Sequence, residues 1–152
     1  MYKSLGKYRK RVHYFQCTLL LLAGLMLLAG GMLYLLFRPR TLVMFRVADW
    51  LGWSAVITDM RAVAADVTLP EWVVYWLPNA LWTTSYILMT EALSAGSHPR
   101  QKLLKAGLIP ALGMVSELLQ GWGVIRGTFD WWDLAAYLVP YLIYSLYIQL
   151  KR

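Results

Sequence analysis

The chain has 152 residues, of which 59% are hydrophobic and only 15% charged. Its mean hydropathy is +0.49, so its composition lies outside the range of a soluble globular domain. The formal charge of +7 is carried by short basic clusters flanking apolar runs, not by one stripe on a folded surface, so membrane topology explains it and no nucleic-acid partner is expected.

From Val12 to Phe37 there is no Asp, Glu, Lys or Arg. The stretch 17–37 is long enough, at about 1.5 Å per residue, to cross a hydrocarbon core of about 30 Å. Its prefix MYKSLGKYRKR is like the start of a signal peptide. The apolar run is nevertheless too long, and no small-residue cleavage site precedes a polar chain, so an uncleaved anchor is predicted.

Residues 38–71 are too long for a plain turn. TLVMFRVADWLGWSAVITDMRAVAAD mixes apolar and charged residues in a pattern that fits one or two short helices broken near Gly52, lying along the membrane surface. They form either a packed cap over the bundle, held by Trp50 and Trp53, or a cap that grips a ligand.

Apolar runs at 72–93, 104–122 and 131–150 supply three further spans. Pro78 and Asn79 interrupt the second, as a kink or with Asn79 lining a cavity, and Pro110 and Pro140 kink the third and fourth. Glu91 is expected to snorkel toward Arg100, Lys102 or Lys105. The fold class predicted is all-α. Residues 1–152 form a single polytopic membrane domain, a bundle of four transmembrane helices with a short interfacial helical segment in the first extracytoplasmic loop, 38–71.

Lys3, Lys7, Arg9, Lys10 and Arg11 precede the first span, Arg100, Lys102 and Lys105 separate the second and third, and Lys151 and Arg152 follow the fourth. All fall on one side, which the positive-inside rule makes cytoplasmic, together with both termini. The other side carries sparser cations mixed with acids, and Trp72, Trp76, Trp122, Trp131 and Trp132 line up there as an aromatic belt.

The stretch SELLQGWGVIRGTFDWWDLAAY concentrates charge in this apolar chain. Glu117 lies one to two turns inside the outer end of the third span, where an ionised carboxylate costs about a few kcal/mol unless it is paired, hydrated or protonated. Gln120 shares its helix face, and Gly113 and Ser116 are small enough to admit another helix, so this face points inward. A turn through Gly127 lets Arg126 fold back toward Glu117. Asp130 suits the N-cap of the last helix and Asp133 its third position, where carboxylates meet free N–H groups and the positive end of the helix dipole. A cap alone requires neither Glu117 nor Gln120 nor Arg126.

The order E-x-x-Q, a short connector, an Arg, then two Asp three apart at the start of a last helix resembles the VanZ-like family of small bacterial multispanning membrane proteins. Glu117, Gln120, Arg126, Asp130 and Asp133 carry the resemblance, which covers roughly 78–150. The chain departs from the pattern at Tyr137, where such proteins often place Asn, and at Val139 and Pro140, where small residues are usual. The resemblance implies a multi-pass protein of the bacterial inner membrane and cell envelope. The family's best-known member is linked to reduced susceptibility to teicoplanin, a lipoglycopeptide-class antibiotic.

One cysteine, Cys17, and two histidines, His13 and His98, supply neither a disulfide framework nor a zinc site, and no metal or other cofactor is expected. No nucleophile motif or phosphate-cradling Gly loop accompanies the charged stretch. The residues thus suggest a non-enzymatic protein that recognises a membrane lipid, a lipid-linked glycan or an amphiphilic antibiotic. Its polar pocket would be built from Glu117, Gln120, Arg126, Asp130 and Asp133, with Asn79 and, from the long loop, Arg46 or Arg61 completing the wall. If the protein is an enzyme, Glu117 and Asp133 are the acid and base candidates of a hydrolase or transferase acting on a lipid head group. A third reading makes the cluster a buried fold-specifying network in a subunit of a larger membrane complex. A homo-oligomer or a membrane-protein partner is compatible with each.

Overall fold

A computed structural model describes the backbone of residues 2–151 and the side chains of residues 12–151. The side chains of Lys3, Lys7, Arg9, Lys10 and Arg11, and Arg152, lie outside the described residues. Among those described there are seven helices and no strand: α1 (Tyr2–Phe37), α2 (Val43–Trp50), α3 (Ser54–Val63), α4 (Glu71–Tyr75), α5 (Leu77–Leu93), α6 (Pro99–Gly121) and α7 (Trp131–Leu150).

Two helical segments, Val12–Phe37 and Pro99–Gly121, are long and apolar enough to cross a membrane, fewer than the four expected. The second expected span is divided. Pro78 has no N–H and its ring crowds the carbonyl of Val74, so the helix is interrupted at Trp76 and α5 has only 17 residues. The fourth, α7, has the length of a span at 20 residues, but Asp133, Gln149 and the tyrosines at 137, 141, 144 and 147 lower its hydropathy.

α5 is the centre of the bundle: α1, α6 and α7 all pack on it, and α6 packs on α7. Its buried positions include Asn79, Thr83, Ser85, Thr90 and Glu91, so the helices are held by small side chains and hydrogen bonds as much as by apolar bulk. Ser85 Oγ donates to the Ala23 carbonyl at 2.7 Å and Gln16 Nε2 to the Ala92 carbonyl at 2.9 Å, fixing α1 against α5 at two heights. Between α6 and α7, Gly107 receives the Tyr141 ring and Gly113 the Tyr137 ring; a Cβ at Gly113 would lie 2.6 Å from Tyr137 Cε1.

At the basic end, Ile87, Ala106, Tyr144 and Ile148 form an apolar core joining α5, α6 and α7. Glu91 is buried beside it. One of its oxygens takes Lys102 Nζ at 2.8 Å and the other accepts from Tyr144 Oη at 2.7 Å. Of the three cations expected near Glu91, Lys102 is the one that reaches it, while Arg100 and Lys105 are exposed.

The loop after α1 folds as α2 and α3, with the break at Gly52, whose φ of +76° favours glycine. Its core is Phe45, Ala48 and Ile57 against Tyr34, Leu35 and Leu42. Trp50 and Trp53 do not hold this cap: they are 84% and 57% exposed. Phe45 and Ala48, three residues apart, share the inner face of α2, and a residue two further along points away from it. Arg61 closes the end of α1 instead, with Nη1 donating to the carbonyls of Leu35 at 2.8 Å and Arg38 at 2.9 Å, groups that a helix C-terminus leaves without partners.

Candidate functional site

The interruption at Trp76 sets the starts of α5 and α7 side by side, and residues with the same spacing meet across them. Trp76 Nε1 donates to Asp130 Oδ2 at 2.9 Å, and three residues further along each chain segment Asn79 Nδ2 donates to Asp133 Oδ1 at 2.9 Å. Asp130 is the N-cap of α7, as its spacing predicts: its backbone is extended and its Oδ1 accepts from Trp132 N at 2.9 Å. Its own N–H donates to Glu117 Oε2 at 3.4 Å, which brings α6 into the cluster. Glu117 is 5% exposed and Asn79 8%. Four expected site residues, Asn79, Glu117, Asp130 and Asp133, therefore stand together.

The cation beside them is not the expected one. Arg126 is exposed on the α6–α7 connection and forms no ion pair; among the described residues the ion pair is Lys102–Glu91, at the other end of the bundle. Gly123 and Gly127, with φ of +70° and +150°, turn this connection outward, so Arg126 does not fold back. Gln120 is spent on the same turn, its side-chain amide packed directly on Gly127. Arg46 is exposed on α2, and Arg61 is committed to the end of α1, so neither completes the wall.

Arg38, immediately after α1, is the cation whose charge is felt at the cluster, at longer range and, among the described residues, without an ion pair. Its guanidinium lies over the rings of Tyr34, at 5.3 Å, and Tyr75, at 4.9 Å, and its charge acts on Glu117, Asp133 and Tyr137. Its Nε is buried without a hydrogen-bond partner among the described residues. Cation–π contact supplies the enclosure that hydrogen bonds do not.

Two more residues belong to the cluster, neither of them expected there. Trp76 was placed in the interfacial belt, yet it is half-buried, bonds Asp130 and stacks on Trp132 with ring centroids 4.9 Å apart. Tyr137, noted only as a departure from a family pattern, covers Gly113 and lies within electrostatic reach of Glu117 and Asp133. The usable signals were the equal spacing of Trp76 and Asn79 with Asp130 and Asp133, and the position of Arg38 as the first charge after the apolar run.

Aromatic side chains surround the carboxylates. A shallow hollow of about 220 Å³ is lined by Trp72, Trp76, Leu77, Ala80 and Trp132, among others. A second, of about 210 Å³, lies between Leu118, Gly121, Trp122 and Phe129. Acceptors outnumber cations: three carboxylates face one guanidinium, with the positive ends of α5 and α7 beneath them. Among the described residues no group of three or more His, Cys, Asp or Glu is arranged to hold a metal ion. No family model matches the chain, and no curated protein or solved structure matches it.

Proposed function

We propose that the chain is a four-span protein of the bacterial inner membrane, with both termini cytoplasmic and VanZ-like in kind, that binds the glycan of a lipid-linked saccharide at the Glu117–Asp130–Asp133 cluster without transforming it. Support for the membrane reading comes from the surface: α1 presents Leu21 at 65% and Leu28 at 66% exposure and α7 presents Ile143 at 63%, a density of bare aliphatic side chains that water does not tolerate but lipid does.

The observation that carries the ligand class is the excess of carboxylates beside a tryptophan platform. With Arg126, Arg46 and Arg61 away from the cluster and Arg38 enclosed by two tyrosines, the group suits a ligand that donates hydrogen bonds better than one that brings a phosphate. Sugar hydroxyls donate to carboxylates, and sugar faces lie on indole rings such as Trp72 and Trp132, which are 53% and 59% exposed. A glycosylated amphiphilic antibiotic shares this chemistry.

A second reading draws on Glu117, whose one hydrogen bond among the described residues is a long one of 3.4 Å. So lightly bonded a carboxylate could act as general acid or base in a hydrolase or transferase. The test of both is native mass spectrometry of the protein in mild detergent, comparing lipids retained by the wild type, Glu117→Gln and Asp133→Asn, with Arg126→Ala as a control. Binding predicts a glycan-bearing lipid kept by the wild type and the control and lost from variants that melt normally. Catalysis predicts that Glu117→Gln keeps the lipid and loses turnover. Unchanged retention with earlier melting would mean that the charges only hold the helices together, as in a structural subunit.

A further inference from the structure

At the end of the bundle opposite the carboxylates, α1 and α7 each pack on α5 but leave a lateral groove of about 470 Å³ between them. Phe15 and Leu19 form one wall, Ile87 and Leu88 the floor, and Ile143 and Tyr147 the other wall. The volume lies within the about 300–1,000 Å³ usual for small-molecule sites. The groove runs into a second hollow of about 310 Å³, with Phe15 and Glu91 common to both, and there the lining becomes polar: Gln16, Lys102 and Lys151.

Charge decides what fits. Glu91 neutralises Lys102 at 2.8 Å. Lys151 forms no ion pair among the described residues, Glu91 acting on it only from across the hollow; its ammonium lies 4.5 Å from the Tyr147 ring centroid and 5.8 Å from that of Phe15, and it donates to the Tyr147 hydroxyl. Lysine is charged at neutral pH in any case, and this hydrogen bond pushes the pKa of the Lys151 ammonium further up. An apolar trough open at the side therefore ends at a lysine that, among the described residues, forms no ion pair. This is the outline of an amphiphile with an anionic head, and the positive-inside rule puts this end at the leaflet face rich in such lipids.

We infer that the groove holds one acyl chain of an anionic phospholipid, whose head-group phosphate sits at Lys151 with Lys102 at its far edge. The inference shares with the proposed function the premise that the helices lie in a bilayer, but it does not depend on the carboxylate cluster.

The experiment adds equimolar phosphatidylglycerol and phosphatidylcholine of identical chains to the full-length protein in mild detergent and reads the bound lipids by native mass spectrometry. The wild type should retain phosphatidylglycerol over phosphatidylcholine by about fivefold, equivalent to about 1 kcal/mol. Lys151→Ala, a change at an exposed side chain, should bring the ratio to about one at unchanged melting temperature, since it removes the attraction of one cation for an anionic head. Ile143→Trp, at the exposed lip of the groove, should reduce retention of both lipids while leaving both lysines in place. Glu117→Gln should leave the ratio as in the wild type. Equal retention by the wild type, a preference that survives Lys151→Ala, retention unaffected by Ile143→Trp, or a ratio that collapses in Glu117→Gln would each overturn the inference; the last would move the lipid to the carboxylate end.

Discussion

Asn79 and Asp133 are joined by a 2.9 Å hydrogen bond between the first turns of α5 and α7, with Asn79 only 8% exposed. Among the described residues the amide is the donor to that carboxylate, so Asn79→Ala should cost about 1.5–3 kcal/mol, the usual range for a hydrogen bond to a charged group. Thermal melting in detergent measures it. Trp76→Phe keeps a ring against Trp132 but removes the N–H donated to the Asp130 carboxylate and part of the indole's bulk, so its cost should be of the same size, about 1.5–3 kcal/mol.

Arg38 and Arg126 should separate cleanly. Arg38→Ala empties the space between Tyr34 and Tyr75 and removes the cation acting on Glu117 and Asp133, and the protein should lose about 1–3 kcal/mol. Arg126→Ala, at an exposed loop position, should stay within about 0.5 kcal/mol of wild type. Equal effects of the two changes in chemical or thermal denaturation would contradict the assignment of Arg38 to the cluster.

Gly113→Ala would put a Cβ 2.6 Å from the Tyr137 ring, and forcing the two helices apart should cost about 1–3 kcal/mol. Tyr137→Asn replaces the ring by a shorter side chain, so in that background the same glycine change should be nearly silent. The coupling between the two sites, read from a double-mutant cycle, is the measurement.

Lys102→Ala leaves Glu91 buried with Tyr144 as its remaining partner, and a stranded charge of this kind costs about 3–5 kcal/mol. Adding Glu91→Gln should restore most of the loss, because the amide needs no counter-ion. Melting of the two single variants and the double variant decides it.

Topology has a direct assay. With Cys17 replaced by Ser, four spans place Gly96→Cys on the cytoplasmic side and Thr128→Cys outside, both at exposed positions. A membrane-impermeant maleimide on intact cells should then label position 128 and spare position 96. Crossing by α1 and α6 alone reverses the pattern, so the outcome distinguishes four spans from two.

Legibility of this fold in the sequence follows the physical range of each signal. Asp130 as an N-cap, the break at Gly52, the interruption at Pro78 and the close approach at Gly113 are local matters of backbone sterics and spacing, and the sequence expresses them directly. Partner choice is not local. Nothing in the run from Trp122 to Phe129 encodes that its glycines aim Arg126 outward, whereas the charge of Arg38 is felt at the carboxylates because α1 packs on α5. Trp50 and Trp53 misled for a related reason: size suggests burial, but helical register puts Phe45 and Ala48 inside.

Arg61 grips the main chain of Arg38 by its carbonyl, and the Arg38 guanidinium lies over the rings of Tyr34 and Tyr75. The short helices α2 and α3 and the end of α1 are thus joined through one residue, held at its backbone by Arg61 and at its side chain by two tyrosine rings. Lifting α3 from the end of α1, as loss of Arg61 would, leaves the Leu35 and Arg38 carbonyls without these donors, so the short helices and the last turn of α1 lose their anchorage together.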